Sequence, residues 1–275
     1  MNSSTVDSVT VLTYHALAAE PGDLAAWEPD ARHYVLTRDE FNRHLDHLAS
    51  EGFTTIGLDD FVTWHAGDAD LPERPIILTF DDGHASNVSL ALPALAGRGM
   101  RAAFFLTVGR IGQEGTLGWD GVAALLDAGM TIGSHTLTHR MPSTLSAAEL
   151  ERELVESKRL LEERFGRAVD FVASPTGYDS RHFARAARQA GYRAALQGAI
   201  GRNGRGVNLF ALRRLVLKRS HDFDLFRRLC DPADHTYRSL RRRQALRNLV
   251  RRIIGPRGYE GIRRRVLKGQ DSHTD

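Results

Sequence analysis

The chain has 275 residues, 42% hydrophobic and 26% charged, enough for one large core carrying an appendage. Its single cysteine, Cys230, excludes an internal disulfide framework and fits a reducing compartment; with no apolar run of membrane-spanning length and no basic-then-apolar start, the expectation is a cytoplasmic protein. The net charge of +3 is uneven, since residues 232–275 hold 12 Lys and Arg against 4 acids, so the body over 1–231 carries −5 and its charge gives no argument for nucleic-acid binding.

The first element is a strand, VTVLTY (9–14), with four β-branched residues in its first five; it ends on Tyr14 and is followed at once by His15. Thr37 and Glu40 form a T-x-x-E capping box that opens a helix running to about Ser50. PIILTF (75–80) is the second strand, closed by Asp81, Asp82 and the turn-permitting Gly83, with a helix expected over 86–98. AAFFLT (102–107) and MTIGS (130–134) are strands around a helix at 119–128. Ser146 and Glu149 repeat the capping box and open a helix with Leu150, Leu154, Leu161 and Phe165 on its buried side. DFVAS (170–174), a helix at 179–190 and ALRRLVL (211–217) complete the body. This alternation predicts an α/β fold, a largely parallel sheet with helices outside, either open or closed into a barrel. In such folds chemistry collects at the carboxyl ends of the strands.

Two strand ends carry candidate chemistry. Asp81 and Asp82 are adjacent carboxylates that repel unless something positive is near, although a solvated Asx-type turn also fits DDG. After the fourth strand come His135 and His139, four residues apart, able to reach one ion if the segment turns helically. Many H-x-x-x-H pairs bind nothing. One Asp with two His at the ends of parallel strands nevertheless leaves coordination positions open, as in a catalytic site, and that donor set suits a zinc-like cation, with cobalt, nickel or manganese as alternatives. His15, by its place alone, is a core histidine.

Three stretches, TFDDG (79–83), GWDGVAALLDAGMTIGSHTLTH (118–139) and ASPTGYDS (173–180), resemble the polysaccharide deacetylase family, with likeness extending over about residues 9–230. The resemblance implies a distorted, incomplete (β/α) barrel and metal-dependent removal of N-acetyl groups from an amino-sugar glycan. It implies Asp82, His135 and His139 as metal ligands and Asp81 as general base. Pro175, Thr176 and Gly177 align with the stretch whose backbone N–H helps hold the oxyanion, with Ser174 and Thr176 where relatives usually carry aromatics. Arg213 or Arg214 is the candidate for orienting the base. Trp119 is either a sugar-stacking wall or a helix-start aromatic packed on the barrel. For the leaving-group acid, His221 and His235 fit poorly. VLTYHAL and Ala173, two positions before Pro175, both resemble the branch acting on secreted poly-N-acetylglucosamine, which makes His15 the expected acid.

The remaining histidines suggest less. His44 and His47 read as surface positions; His33, His65, His182 and His273 form no constellation, and His84 adjoins the aspartates. In the extension (232–275), Leu246, Leu249, Val250, Ile253 and Ile254 recur at helical spacing beside Arg247, Arg251 and Arg252. This is either a helix packed on the barrel or a surface for anionic lipid at the inner membrane face. The expected partners are thus an N-acetylated sugar and anionic lipid, not nucleic acid. Alternatives are a deformylase or other amidase on a small or lipid-linked substrate, and an inactive carbohydrate-binding relative.

Overall fold

A computed structural model describes residues 6–177 and 181–246. Its main sheet has eight strands: β1 (Thr10–Tyr14), β4 (Thr54–Thr55), β5 (Pro75–Phe80), β6 (Ala103–Leu106), β7 (Thr131–Ser134), β8 (Phe171–Ala173), β9 (Ala194–Leu196) and β10 (Leu215–Val216). The order is β10-β1-β5-β6-β7-β8-β9, with β4 beside the start of β5, and every named pairing is parallel. A small parallel pair, β2 (Leu17–Ala18) with β3 (Leu36–Thr37), lies on the excursion that follows β1. All residues of β1 and β5 are buried, as expected for parallel strands covered on both faces.

The sheet curls until one segment touches both of its edges. Leu212 N donates to Ala195 O of β9 at 3.0 Å, and Gln197 N donates to Leu212 O at 2.9 Å. Three residues later Leu215 pairs with Leu12 of β1, and Leu217 N donates to Thr13 O at 2.9 Å. The expected strand over 211–217 therefore splits into a bridge to one edge and a two-residue strand on the other. The chain must change partners across the gap, so one continuous ladder cannot form.

Alternation along the strands divides the core. Leu12, Tyr14, Leu78, Phe80, Phe104 and Leu106 join the cluster under the helices. Val11, Ile77, Phe105, Phe171, Leu196 and Leu212 face the interior. Besides a single turn at Pro29–Arg32 and the C-terminal stretch 236–246, the helices are α1 (Arg38–Ser50), α2 (Leu58–Ala66), α3 (Leu92–Ala96, after a π turn at Asn87–Ala91), α4 (Trp119–Asp127), α5 (Ala147–Phe165), α6 (Arg181–Gln189) and α7 (Phe223–Cys230). Both expected capping boxes form, at Thr37–Glu40 and Ser146–Glu149. From α2, Phe61 and Trp64 join the interior cluster.

β9 and α2 have no counterpart in the sequence reading. β9 is the three-residue run AAL, with little β-propensity, and α2 starts on Gly57, whose cap is the Asp60 carboxylate accepting from Gly57 N at 2.8 Å. His44 corrects another expectation: it is buried, stacks on Phe226 with ring centroids 3.7 Å apart, and hydrogen-bonds the Tyr14 hydroxyl at 3.3 Å. Its place on α1 is against α7, a helix the sequence reading lacked. His47 is half-buried beside it.

Residues 236–246 are helical and lie on the rim that follows β9. Gln244 accepts from Ile200 N at 2.9 Å and donates to Gly198 O at 2.6 Å, while Tyr237 and Leu240 pack on the core. Leu249, Val250, Ile253, Ile254, Arg247, Arg251 and Arg252 lie outside the described residues. Among the described residues, no helix is long and apolar enough to cross a membrane.

Candidate active site

The interior face reaches its upper rim through short alternating runs. Val11 and Thr13 lead to His15; Ile77 and Thr79 lead to Asp81; Leu212 leads to Arg214. Thr79 Oγ1 donates to Leu12 O at 3.0 Å and meets Thr13 Oγ1 at 2.9 Å, tying β1 to β5 one layer beneath the polar rim.

Asp81 and Arg214 are each 2% exposed. Arg214 Nη1 donates to Asp81 Oδ1 at 2.8 Å and Oδ2 at 2.6 Å. The rest of the guanidinium is fixed by backbone: Nε donates to Gln197 O at 3.1 Å and Nη2 to Ser174 O at 3.0 Å. Alternation puts Arg213 on the opposite face, where its Nη1 donates to Arg202 O at 3.3 Å. Of the two arginines considered, Arg214 is the one at the aspartate.

Asp82, His135 and His139 converge beside this pair, with one potential ligand atom from each within 4.8 Å of the others. Asp82 Oδ1 lies 3.4 Å from His135 Nε2 and 3.1 Å from His139 Nε2, and Asp81 Oδ2 lies 3.8 Å from His135 Nε2. His135 Nδ1 is 2.9 Å from Ala173 O; a carbonyl only accepts, so Nδ1 carries the proton and Nε2 presents a lone pair. Burial pushes the His135 pKa down to about 4, against the neighbouring carboxylates that raise it, so the ring is neutral at pH 7. For Asp82 burial acts upward, but the His139 hydrogen bond and the electrostatic influence of the His15, His135 and His139 imidazoles outweigh it and hold the carboxyl well below its usual range. A lone pair aimed at carboxylate oxygens is repulsive unless a cation lies between them. The Asp-His-His donor set therefore fits a divalent ion.

The backbone is strained at this site. The four non-glycine residues with positive φ among those described are Asp82 (74°), Thr136 (66°), His139 (64°) and Thr176 (60°), all on site loops. Each such placement costs on the order of 1–3 kcal/mol and persists only where surrounding contacts impose it. The 136–139 segment is accordingly a bend with left-handed residues at Thr136 and His139, so the two histidines meet without the helical turn that their spacing suggested. Below it, Gly133 admits Phe105: a Cβ there would come 2.5 Å from the ring.

His15 is half-buried. Its carbonyl accepts from Asn87 Nδ2 at 2.8 Å, and its ring centroid lies 5.0 Å from that of Tyr34. Tyr34 and Trp27, the latter 4.7 Å from the His84 ring, come from the excursion after β1 and are site-rim residues that sequence reasoning missed. No periodicity marks them; an aromatic soon after a strand end is the only signal. Pro175, Thr176 and Gly177 form a 3-10 turn directly after β8, with Pro175 buried and Thr176 exposed. The carbonyls just before it hold both His135 and Arg214. Trp119, half-buried, packs on Phe165 at 5.9 Å and under the Arg164 guanidinium at 5.6 Å.

A parallel half-barrel with its polar constellation at the carboxyl ends of the strands is the layout of an α/β-barrel enzyme. Residues 68–195 match the polysaccharide deacetylase family model. It is 26% identical to the Bacillus subtilis protein YxkH, grouped by its name with polysaccharide deacetylases, over 178 residues (65% of this chain, 64% of the relative). It is 29% identical to a peptidoglycan-N-acetylglucosamine deacetylase of Bacillus cereus over 137 residues (50% and 61%). The matches thus span less than two thirds of these relatives' lengths. The Streptococcus pyogenes deacetylase PplD, solved with acetate, shares the fold: TM-score 0.74 at 19% identity, over 83% of this chain and all of that one. The family match excludes both His15 and Arg214, which the fold brings to the matched residues.

Proposed function

We propose that the protein hydrolyses the N-acetyl group of an N-acetylglucosamine-containing glycan, releasing acetate and leaving a free amine. The observation that carries this reading is the convergence of the Asp81–Arg214 pair with Asp82, His135 and His139 on one interior rim. A divalent cation held by Asp82, His135 and His139 supplies Lewis-acid polarisation of the amide and activation of water. Asp81, oriented by Arg214, accepts the proton of the attacking water as the C–O bond forms. His15 donates a proton to the amide nitrogen as the C–N bond breaks, because an amine anion leaves poorly. A main-chain N–H in the 175–177 turn hydrogen-bonds the developing oxyanion. Tyr34 and Trp27 supply flat apolar faces for a sugar ring.

The amino-sugar class is supported by the name of the Bacillus cereus relative, and the exopolysaccharide branch by Tyr14-His15 and Ala173. The test is acetate release from N-acetylglucosamine oligomers, with chelator and with zinc, cobalt, nickel or manganese restored. Formate release from N-formyl analogues in place of acetate would move the assignment to a deformylase. Sugar binding without hydrolysis in every metal would make it a binding relative. We further propose that the basic extension docks the enzyme on anionic lipid at the inner membrane face. Arg238, Arg241, Arg242 and Arg243 are exposed on the 236–246 helix and Leu246 is 63% exposed. Equal flotation with anionic and neutral vesicles would refute that part.

A further inference from the structure

The loop carrying both imidazoles is held by a single buried carboxylate from another element. Glu153, on α5 and 6% exposed, accepts from Leu137 N at 2.9 Å and Thr138 N at 2.7 Å through Oε2, and from the Thr138 hydroxyl through Oε1. These are residues between His135 and His139, and their successive N–H groups form a concave anion-binding turn. One helical turn on, buried Ser157 meets Ser134 Oγ at 2.8 Å, and Ser134 Oγ accepts from Thr136 N at 3.0 Å. The spacing of four puts Glu153 and Ser157 on one face of α5, toward the loop. The outer side is closed by Thr136 O and Leu137 O, which accept from Val108 N at 3.1 Å and Gly109 N at 2.7 Å. A Cβ on Gly109 would come 2.7 Å from Leu137 O, so the loop sits tightly against its neighbour.

We propose that Glu153 is a positioning residue that sets metal affinity, by locking the bend between the left-handed residues Thr136 and His139 so that His135 and His139 face one ion before it arrives. This rests on the metal-site reading above. Without the carboxylate, two part-buried amides and a hydroxyl lose their acceptor, the turn relaxes, and the imidazoles must be ordered at the expense of binding. Supports of this kind change metal affinity by about 10–100-fold. Glu153→Gln keeps a carbonyl oxygen for the two amides and loses the charge, so its effect falls between wild type and Glu153→Ala.

The experiment is zinc affinity of the full chain by competition with a chromophoric chelator, alongside thermal unfolding of the metal-free proteins. The expected result is about 10–100-fold weaker zinc binding for folded Glu153→Ala and a smaller loss for Glu153→Gln. If Glu153→Ala fails to fold, Glu153→Gln must still bind zinc more weakly than wild type. Wild-type affinity in the folded variants, with only lowered thermal stability, would assign Glu153 a structural role and overturn the proposal alone. Absence of zinc binding by the wild-type chain would overturn the metal-site reading and this inference together.

Discussion

Replacing Arg214 with Met isolates what the buried ion pair does. The substitution keeps an unbranched side chain but removes Nη1 from both Asp81 oxygens and takes the guanidinium's donors from the carbonyls of Gln197 and Ser174. Both partners are 2% exposed, so water cannot take over and Asp81 must stay charged without compensation or bind a proton. Breaking such a pair from one side costs about 3–5 kcal/mol. Asp81→Asn leaves the guanidinium short of its counter-charge and costs a comparable amount. In the double variant neither charge remains, so the cycle should show about 2–3 kcal/mol of coupling, the double variant being more stable than the sum of singles implies. Urea unfolding of the four proteins in chelator measures this directly. Additive single costs, or an Arg214→Met cost under about 1 kcal/mol, would show that the contacts contribute nothing net, and the orienting role would fail with them.

Other substitutions separate the proposed roles. His15→Ala should retain zinc and lose about 10²–10⁴-fold in amide hydrolysis, yet keep most activity on 4-nitrophenyl acetate, whose phenolate leaves unaided; equal loss on both substrates would remove His15 as the acid. Thr176→Gly should keep activity and gain up to about 1 kcal/mol, because glycine adopts φ of 60° freely and the proposed donor is main chain; lost activity would point to the hydroxyl. His44 tests the α1–α7 packing through pH: burial, with Arg43 and His47, lowers its pKa to about 3. The unfolded chain binds that proton near pH 6.5, so stability is full above 6.5 and falls by about 1.4 kcal/mol per unit down to pH 3. His44→Phe should remove that slope, leaving the contributions of His221 and metal-free His135 in both proteins. Identical acid profiles would contradict the burial.

Much of the site was legible because strands advertise their own ends. β5 and β7 are apolar runs stopped abruptly by DD and H-x-x-x-H, and the parallel alternation places those stops on one rim. Even the choice between Arg213 and Arg214 lay within reach: with Leu212 inside, period-2 alternation selects Arg214. Glu153 stayed hidden because a glutamate amid Leu150, Leu154 and Leu161 reads as a solvated position, until the loop it holds folds over it. His44 was misread for a similar reason: its partner Phe226 lies on a helix about 180 residues away. Tyr34 and Trp27 belong to a connection without periodicity, where nothing local encodes direction.

The sequence by itself determined the local chemistry: which runs become strands, where helices are capped, and which carboxylates and imidazoles end the strands. These follow from side-chain periodicity and hydrogen bonds within a few residues. Only the tertiary structure decided how the sheet curls until residues 212–217 touch both edges, carrying Arg214 to Asp81 across 133 positions of chain. It also decided that Ala173 O and Glu153 converge on the turn that carries His135 and His139. Those are contacts between distant segments, and their geometry is set by the curvature of a sheet that no single strand specifies.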